Sequence, residues 1–396
     1  MKAGWELRAL GEFSEIKYGY TAKAARDAVG PRFLRITDIQ DGRVDWDQVP
    51  YCKITEKDHA KHSVSKGDIV FARTGATTGK SFLISEAPDT VCASYLIKVR
   101  PNDEIVESSF LNLYFQTSEY WQHISLGTEG AAQGGFNATK LAALPIPLPP
   151  LQEQRRIVAV LDEAFEGLAR ARENTEANLA SAREFFPSGV SQIFSESDGW
   201  ERLLISEVGE VFDGPHATPK TIDKGPLFLG ISSLIDGRIE LGKTRHVTEE
   251  DFAKWTRRVE PEAGDVVFSY ETRLGQVGLI PEGMRCCLGR RMGLVRLNED
   301  IVSPEFFVAY YLSPFFQDFL RKSTVKGATV DRISIKDFPN FPVLVPPKKV
   351  QGKIIDQIAH FREVNDGIVE KVLAKLQDLA DLRQSLLQKA FAGELT

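Results

Sequence analysis

The chain of 396 residues has few cysteines, no long apolar run and no familiar catalytic motif. Cys52, Cys92, Cys286 and Cys287 show no metal-ligand spacing, and the adjacent pair is poorly placed for a disulfide. No apolar stretch approaches the ~20 residues that span a bilayer, and the N-terminus lacks a signal-peptide pattern. These absences argue against a disulfide scaffold and a membrane protein, and we expect a reduced, cytoplasmic protein.

Signatures of catalysis and cofactor binding are also scarce. There is no Gly-x-Ser-x-Gly elbow, no Asn-Pro-Pro-aromatic tetrapeptide and no glycine-rich cofactor loop after a first strand. None of the 6 histidines has a partner at metal-ligand spacing. We therefore expect a non-enzyme without cofactor or metal, and a nuclease centre of scattered carboxylates and lysine stays open as an alternative.

One glycine-rich segment, Thr74–Ser81, is similar to a phosphate-binding loop but has the wrong spacing. That loop needs four residues between its glycines, whereas Gly75 and Gly79 enclose 3 residues. No matching acidic strand for magnesium follows. Nucleotide hydrolysis is therefore disfavoured.

The chain does contain a duplication, at offsets of 195 to 197 residues. The matching segments are Phe33–Ile36 with Phe228–Ile231, Asp41–Arg43 with Asp236–Arg238, Lys66–Phe71 with Ala263–Phe268, and Phe110–Phe115 with Phe306–Tyr311. Solenoid repeats have periods of ~20–50 residues, so this period indicates two duplicated domains.

Each copy ends in a proline-rich hinge that leads into a long helical segment. The hinges are Leu144–Pro150 and Phe341–Pro347. We predict domains at 1–150 and 188–347, a spacer helix at 151–187 and a second at 348–396. This alternation presents two similar surfaces at a fixed separation, which suits a two-part target better than one catalytic cleft.

The net charge of −6 at first argues against nucleic acid. The excess acid lies mostly in the first helical segment, however, and the two globular copies are near neutral. Near-neutral domains bind DNA when their basic residues cluster on one face. We expect weak binding by the isolated chain, with a partner adding positive charge.

Each globular copy has the pattern of a mixed α/β domain with short strands, so the fold class is α+β. The predicted strands are apolar, β-branched runs, and the predicted helices are rich in aromatic residues. The strands are Asp68–Ala72, Tyr95–Arg100, Asp265–Ser269 and Met292–Leu297, and the helices are Ser109–Trp121 and Pro304–Leu320.

The two helical segments carry apolar stripes at near-heptad spacing. In 152–186 the candidate packing residues are Leu161, Phe165, Leu168 and Leu179, and in 351–391 they are Ile358, Phe361, Ile368, Val372, Leu379 and Leu386. We predict that Pro187 and Gly189 end the first helix and that Gly393 follows the second. About 35 helical residues would extend roughly 50 Å.

Each stripe could dock on its own domain, or the two helices could pack on each other. Matched lengths and polar seam residues (Arg172, Thr175 and Asn365) favour the second arrangement, since polar seam residues fix register. We predict an antiparallel coiled coil, which would place the domains at its opposite ends.

The glycine-rich loop of the first copy is a candidate DNA contact, since hydroxyls bond phosphate and Arg or Lys reaches base edges. Its candidates are Arg73, Thr74, Thr77, Thr78 and Lys80, and the second copy offers Tyr270, Arg273 and Gln276 there. A solvated hairpin is an equal alternative.

A polar segment before each hinge is a second candidate. The first copy offers Gln133 and Asn137, whose amides suit adenine, and the second offers Lys326 and Arg332, of which arginine suits guanine. The segment could equally serve only to cap the following helix.

Three segments resemble specificity subunits of type I restriction-modification systems. Leu144–Ile157 resembles the boundary at which a target recognition domain enters a spacer helix in that family. Gly67–Gly75 is similar to the Gly-Asp-hydrophobic-Arg-x-Gly segment of those domains, and Leu382–Leu395 is similar to the terminal helix. The resemblance covers nearly the whole chain in the family's order of domain, helix, domain and helix.

The second copy departs from the family pattern. Its hinge keeps the Glu-Gln pair only as Gln351-Gly352, and it lacks the Arg-Thr-Gly of residues 73–75. We therefore carry no base contact from one copy to the other.

The resemblance implies that each copy reads half of a bipartite, asymmetric DNA target while the helices fix the unread spacer. It also implies docking of two adenine-N6 methyltransferase subunits and of restriction/translocase subunits, with all catalysis in those partners. Base contacts of ~1–3 kcal/mol each would supply specificity. A coiled-coil adaptor that reads no DNA is the alternative hypothesis.

Overall fold

A computed structural model describes residues 2–40, 42–128, 135–195, 199–325 and 331–395. The chain divides into two compact units. Unit 1 comprises residues 1–176 and 374–396, and unit 2 comprises residues 177–373. Each unit therefore contains one globular copy and part of both long helices.

Unit 1 begins with short strands and ends its globular part at the first hinge. Its strands are β1 (Glu6–Ala9), β2 (Ser14–Tyr18), β3 (Arg32–Leu34), β4 (Ile39–Gln40), β5 (Arg43–Val44), β6 (Ile69–Ala72), β7 (Ser81–Leu83), β8 (Thr90–Cys92), β9 (Leu96–Pro101) and β10 (Pro145–Leu148). Its helices are α1 (Glu56–His62), α2 (Ser108–Tyr114), α3 (Ser118–Thr128), α4 (Ala138–Ala142) and the first part of α5 (Leu151–Ser195).

Unit 2 repeats this order. Its strands are β11 (Glu201–Leu204), β12 (Gly209–Asp213), β13 (Ile222–Leu229), β14 (Leu234–Ile235), β15 (Arg238–Ile239), β16 (Arg245–His246), β17 (Val266–Ser269), β18 (Val277–Leu279), β19 (Cys286–Leu288), β20 (Met292–Leu297) and β21 (Pro342–Val345). Its helices are α6 (Ile205–Val208), α7 (Glu249–Trp255), α8 (Pro304–Leu312), α9 (Pro314–Lys322) and the first part of α10 (Lys348–Ala392).

The two units share most of their sheet topology, and unit 2 adds β16 beside β13. Four strands pair in the order β2-β9-β6-β7 in unit 1 and β12-β20-β17-β18 in unit 2. A parallel pair, β3 with β8, recurs as β13 with β19. Each hinge strand closes its unit by pairing with the first strand, as β1 with β10 and β11 with β21. The predicted duplication and the α+β class are confirmed.

The central strand of each unit begins at a glycine turn and a buried ion pair. Gly67 (φ +91°) and Gly264 (φ +89°) adopt left-handed backbone that a side chain would strain. The next residue, Asp68, accepts two hydrogen bonds of 2.7 Å from Arg100. Asp265 accepts the equivalent bonds from Arg296 at 2.9 and 2.7 Å. Both carboxylates are buried, so each guanidinium supplies the partner that burial requires.

The two aromatic helices each divide in two, contrary to the single helices predicted at Ser109–Trp121 and Pro304–Leu320. Thr117 Oγ1 accepts from Tyr120 N at 3.2 Å, and Ser313 Oγ accepts from Phe316 N at 3.3 Å. A side-chain oxygen that satisfies a free N–H starts a new helix. The apolar spacing continues across each break, so the hydrophobic pattern of the sequence does not reveal where one helix ends and the next begins.

The first long helix also differs from its prediction, because it runs through Pro187 and Gly189 to Ser195. Proline in a helix costs ~3 kcal/mol. Beyond it, Val190 and Phe194 are buried in the core of unit 2, and burial of such side chains contributes ~1.5–3 kcal/mol each. Gly189 faces the ring of Phe361, so glycine there serves close packing instead of termination.

The two long helices pack as an antiparallel coiled coil. In unit 1 the start of α5 shares a core with the end of α10, and in unit 2 the end of α5 shares a core with the start of α10. The shared residues are Ile157, Leu161, Leu387 and Phe391 in unit 1, and Val190, Phe194, Ile354 and Ile358 in unit 2. The second helix ends at Ala392, and Gly393 (φ +78°) follows as predicted.

Within the described ranges, no helix combines the length and the apolar character needed to span a bilayer.

Candidate nucleic-acid interface

The glycine-rich loop and the pre-hinge segment of unit 1 lie side by side. Phe136 N donates to Arg73 O at 2.9 Å. The Arg73 guanidinium lies 4.8 Å from the centre of the Tyr18 ring, and the Tyr18 hydroxyl accepts from Ala138 N at 3.1 Å. The fold thus brings together two segments separated by about 60 residues that were predicted independently as DNA contacts.

The glycine-rich loop is an ordered turn. Residues Gly75–Thr77 form a short 3₁₀ helix, and the Thr78 hydroxyl donates to Gly75 O at 2.8 Å. The Tyr120 hydroxyl donates to Gly79 O at 2.5 Å and fixes the end of the turn. Thr74 and Lys80 are exposed, whereas the half-buried Thr77 donates to Thr74 O at 3.4 Å. Arg73, Thr74 and Lys80 therefore present the freest functional groups of this loop.

Asn137 has a structural use. Its side-chain oxygen accepts from Lys140 N at 2.8 Å and caps α4. The side-chain oxygen of Asn137 therefore caps a helix, which is the alternative to DNA contact that the sequence left open. The Asn137 side chain is exposed to solvent. Gln133 lies outside the described residues.

Unit 2 holds the same two segments by the same backbone bond. Ile333 N donates to Tyr270 O at 2.9 Å, at the places that Phe136 and Arg73 occupy in unit 1. Tyr270, however, is buried, and its hydroxyl donates to Asp213 Oδ1 at 3.0 Å. Burial, with the neighbouring Asp213 carboxylate, raises the pKa of Tyr270. The ring is an anchor for the loop and not an open surface.

The remaining candidates of unit 2 lie around this anchor. Arg273 is exposed on a turn in which Thr272 has φ +69°, and Arg332 is exposed beside it. Gln276 Oε1 is buried and has no hydrogen-bond partner among the described residues. Lys326 lies outside the described residues. Arg273 and Arg332 are thus the two accessible candidates, and the roles of all these residues in DNA binding stay predictions.

A buried glutamine after each hinge is a structural position that sequence reasoning missed. Gln154 accepts from Glu107 N at 2.8 Å and donates to Ile105 O and Pro149 O at 3.0 and 2.8 Å. Gln351 makes the same three bonds, with Ser303 N at 2.8 Å and with Ile301 O and Pro346 O at 2.9 Å each.

The equivalence of these glutamines corrects the comparison of the hinges. The partner of Gln154 is Gln351, and Glu153 corresponds to Val350, so the pair does not survive as Gln351-Gly352. The constant offset of 197 residues between the hinges was the signal that could have found it. The glutamine locks each hinge to the loop before its aromatic helices.

The helix seam contains a phenylalanine–arginine contact in each unit. Arg383 lies 4.4 Å from the centre of the Phe165 ring in unit 1, and Arg362 lies 5.2 Å from that of Phe186 in unit 2. Burial lowers the pKa of Arg383, whose guanidinium also donates to Gln116. In both units α5 supplies the ring and α10 the cation. The rings are 21 residues apart along α5, as are the arginines along α10, which is three heptads.

The predicted packing residues differ in burial. Leu161, Leu179 and Ile358 are buried. Phe361 packs against Phe185, with ring centres 5.8 Å apart. Ile368 is 41% exposed, and the half-buried residues are Phe165, Leu168, Val372, Leu379 and Leu386. Of the polar seam residues, Thr175 and Asn365 are buried, whereas the exposed Arg172 pairs with Glu176.

No group of three or more His, Cys, Asp or Glu side chains with metal-binding geometry occurs among the described residues. In each unit the loop after the central strand and the segment before the hinge thus form a loop pair, joined by one backbone hydrogen bond. Each globular part continues into the helical coiled coil. These features define a duplicated recognition-domain protein. A family model, the type I restriction modification DNA specificity domain, matches residues 2–178 and 198–378. The chain belongs to this family and is a specificity subunit with two target recognition domains.

Two curated relatives agree over almost the full length. The chain is 26% identical to the putative type I restriction enzyme MjaX specificity subunit of Methanocaldococcus jannaschii, over 95% of this chain and 92% of that protein. It is 24% identical to the type I restriction enzyme EcoKI specificity subunit of Escherichia coli K12, over 99% of this chain and 89% of that protein.

Two solved structures share the fold. A chain from a study of complex assembly and conformational transition in a type I R-M system gives a TM-score of 0.76 at 21% identity, covering 100% of this chain and 99% of that one. The HsdS subunit from Thermoanaerobacter tengcongensis gives a TM-score of 0.64 at 20% identity, covering 100% and 98%.

Proposed function

We propose that each unit reads one half of a bipartite, asymmetric DNA target. The observation that carries this proposal is the loop pair held by the same backbone bond in both units, with different side chains on it. A constant scaffold with a changed surface suits two different half-sites. Arg73, Thr74 and Lys80 would contact the first half-site, and Arg273 and Arg332 the second, because such groups bond base edges and phosphates.

The coiled coil would set the unread spacer between the half-sites and dock two adenine-N6 methyltransferase subunits. Each long helix has 45 residues and passes from one unit into the other, and 45 helical residues extend about 68 Å. The restriction/translocase subunits would join that core. Methylation, translocation and cleavage would lie in these partners, with this chain non-catalytic and working in the cytoplasm on double-stranded DNA.

The first test is a map of adenine methylation across the native genome, with and without this chain. We expect deletion to remove one bipartite motif and re-expression to restore it. If the partner methyltransferase is expressed and the map is the same in both strains, the chain does not select the methylated sequence.

Helix length and domain exchange test the two parts of the proposal separately. Removing two heptads from 152–186 and the matched stretch of 351–391 should shorten the spacer and leave both half-sites unchanged. Exchanging residues 1–143 for another recognition domain should change only one half-site. An adaptor that reads no DNA would give the same motif after the exchange.

A further inference from the structure

Unit 2 carries a basic surface beside its loop pair. One cleft, of about 310 Å³, is lined by Lys243, Arg245 and Arg290 together with the hydroxyl residues Thr218 and Ser232. Among the residues that the structure describes, no carboxylate lines this cleft. All three cations are exposed.

A second cleft lies in the same unit. Its volume is about 450 Å³, and Lys254, Arg257 and Arg258 line it. The two clefts have no lining residue in common, but Thr218 and Arg290 of the first lie two residues along the chain from His216 and Leu288 of the second. The carboxylate in the lining is Asp213, which already accepts from the Tyr270 hydroxyl at 3.0 Å and lies 3.1 Å from His216.

These cations are available for a partner. In the described part of the chain, none of the six lies within ion-pair distance of a carboxylate, whereas Arg285, Arg291 and Arg296 of the same unit are paired. Exposed cations held close together repel one another, and that cost is recovered when an anion binds between them. The surface is therefore built for a polyanion.

Most of this surface is absent from unit 1. Gly264 follows the capping Thr248 of α7 by 16 positions, whereas Gly67 follows Thr55 by 12 positions. Arg257 and Arg258 lie in this longer connection.

Strand pairing identifies further replacements. Arg245 is paired with Phe228, and the equivalent Phe33 bonds Pro50 O. Arg291 O accepts from Tyr270 N as Tyr95 O accepts from Arg73 N, so Ser94 occupies the place of Arg290. Unit 1 thus has neutral residues where unit 2 has these cations.

We propose that Lys243, Arg245, Lys254, Arg257, Arg258 and Arg290 form a clamp for the DNA backbone in unit 2, of which unit 1 keeps only the counterpart of Lys254, Lys61. This inference rests on the proposed function, because the DNA is the one whose second half-site unit 2 would read. Its position supports duplex DNA as the occupant. Asp213, at the wall of the clamp, holds the Tyr270 anchor of the loop pair, so phosphate contacts would flank the base contacts as in protein–DNA interfaces generally.

The clamp would make the two units contribute unequally to DNA affinity. Each phosphate contact releases counterions and adds ~0.9 to the slope of log affinity against log salt concentration. The clamp should therefore supply much of the salt-dependent affinity through the second half-site while carrying no sequence information. Arginine suits this role because its guanidinium bonds phosphate through two parallel N–H groups.

The test measures DNA affinity against salt for the full chain purified with its methyltransferase subunits. The variant is Arg257→Gln with Arg258→Gln, and the control is Lys57→Gln with Lys61→Gln on α1, the matching helix of unit 1. We expect the first variant to lower the salt slope by about 2, to weaken specific and unrelated duplexes alike, and to keep the methylated motif. The control should keep the wild-type slope.

Other outcomes overturn the clamp. An unchanged salt slope would show that Arg257 and Arg258 do not contact the DNA backbone. A changed second half-site would show that these arginines contact bases. Loss of the methyltransferase subunits with DNA binding intact would assign the surface to an acidic protein face. Thermal unfolding of both variants checks the fold. A failure of the proposed function itself is distinct, since the wild-type complex would then show no preference for any bipartite sequence.

Discussion

The two units share two arrangements of buried polar side chains and differ on their surfaces. The hinge glutamines Gln154 and Gln351 make the same three bonds, and the buried aspartates Asp68 and Asp265 receive the same arginine fork. A buried polar group without its partner is costly, so these positions tolerate little change. Exposed side chains are free of this constraint.

The loop pair shows how far that divergence goes. At equivalent positions, Arg73 stacks on the Tyr18 ring in unit 1, whereas Tyr270 is buried on Asp213 in unit 2. The backbone bond is unchanged, but a surface cation has been replaced by an internal anchor. Backbone equivalence therefore does not transfer side-chain roles, and each unit has to be probed with its own variants.

The largest effect should come from the central strands. Phe71 and Phe268 are both fully buried, and replacement of such a residue by alanine costs ~3–5 kcal/mol. Phe268 stacks on Phe338 with ring centres 4.1 Å apart, whereas Phe71 meets Phe136 at 5.7 Å with tilted rings. Phe268→Ala should therefore destabilise more than Phe71→Ala, measured as urea unfolding free energies. Equal losses would mean that the closer stack adds nothing.

The hinge glutamines should give the next largest effect, of equal size in both units. Gln154→Ala or Gln351→Ala would strip the partners from three backbone groups each, and one buried unpaired group costs ~1–3 kcal/mol. We expect a loss of about 3 kcal/mol in the free energy of unfolding. Gln152→Ala, on the exposed side of the same helical turn, is the control and should change stability by less than ~0.5 kcal/mol. Unequal losses at 154 and 351 would show that the two hinges are not equivalent.

The seam contacts should have smaller and unequal effects. Exchanging ring and cation in unit 2 (Phe186→Arg with Arg362→Phe) keeps one contact of ~0.5–2 kcal/mol, so the double variant should be more stable than the single variants predict. The same exchange in unit 1 (Phe165→Arg with Arg383→Phe) also removes the bond from Arg383 to Gln116. A double-mutant cycle by thermal unfolding measures both. A rescue as complete in unit 1 as in unit 2 would contradict the extra role of Arg383.

The sequence predicted the duplication, the hinges, the central strands and the coiled coil, because all of these follow from apolar periodicity and from segments repeated at a fixed offset. It missed the breaks at Thr117 and Ser313, since a cap is a single hydroxyl within an unbroken apolar pattern. It also ended the first helix at Pro187. The tertiary burial of Val190 and Phe194 outweighs that local signal and cannot be read from local sequence.

The candidate site was predicted only in part. Glycine and polar composition identified both loops, and their meeting follows from the sheet. The burial of Tyr270 depends on Asp213, 57 residues away, and the basic surface depends on strand pairing between residues distant in sequence. Neither leaves a local pattern.

The smallest effect concerns pH and again divides the units unequally. Burial raises the pKa of Cys92 in unit 1, and of Cys286 and Cys287 in unit 2, to about 12. An unfolded thiol titrates near ~8.5, so above that pH the folded state binds more protons than the unfolded state. The contribution of these protonated thiols to the stability of the folded state is therefore fully present below pH ~8.5 and is lost as the pH rises toward 12. Between pH 8 and 9 we expect a loss of somewhat less than ~1 kcal/mol per thiol, measured by urea unfolding. Replacing Cys286 and Cys287 with alanine should remove more of this pH dependence than replacing Cys92, and the reverse order would place the alkaline sensitivity in unit 1.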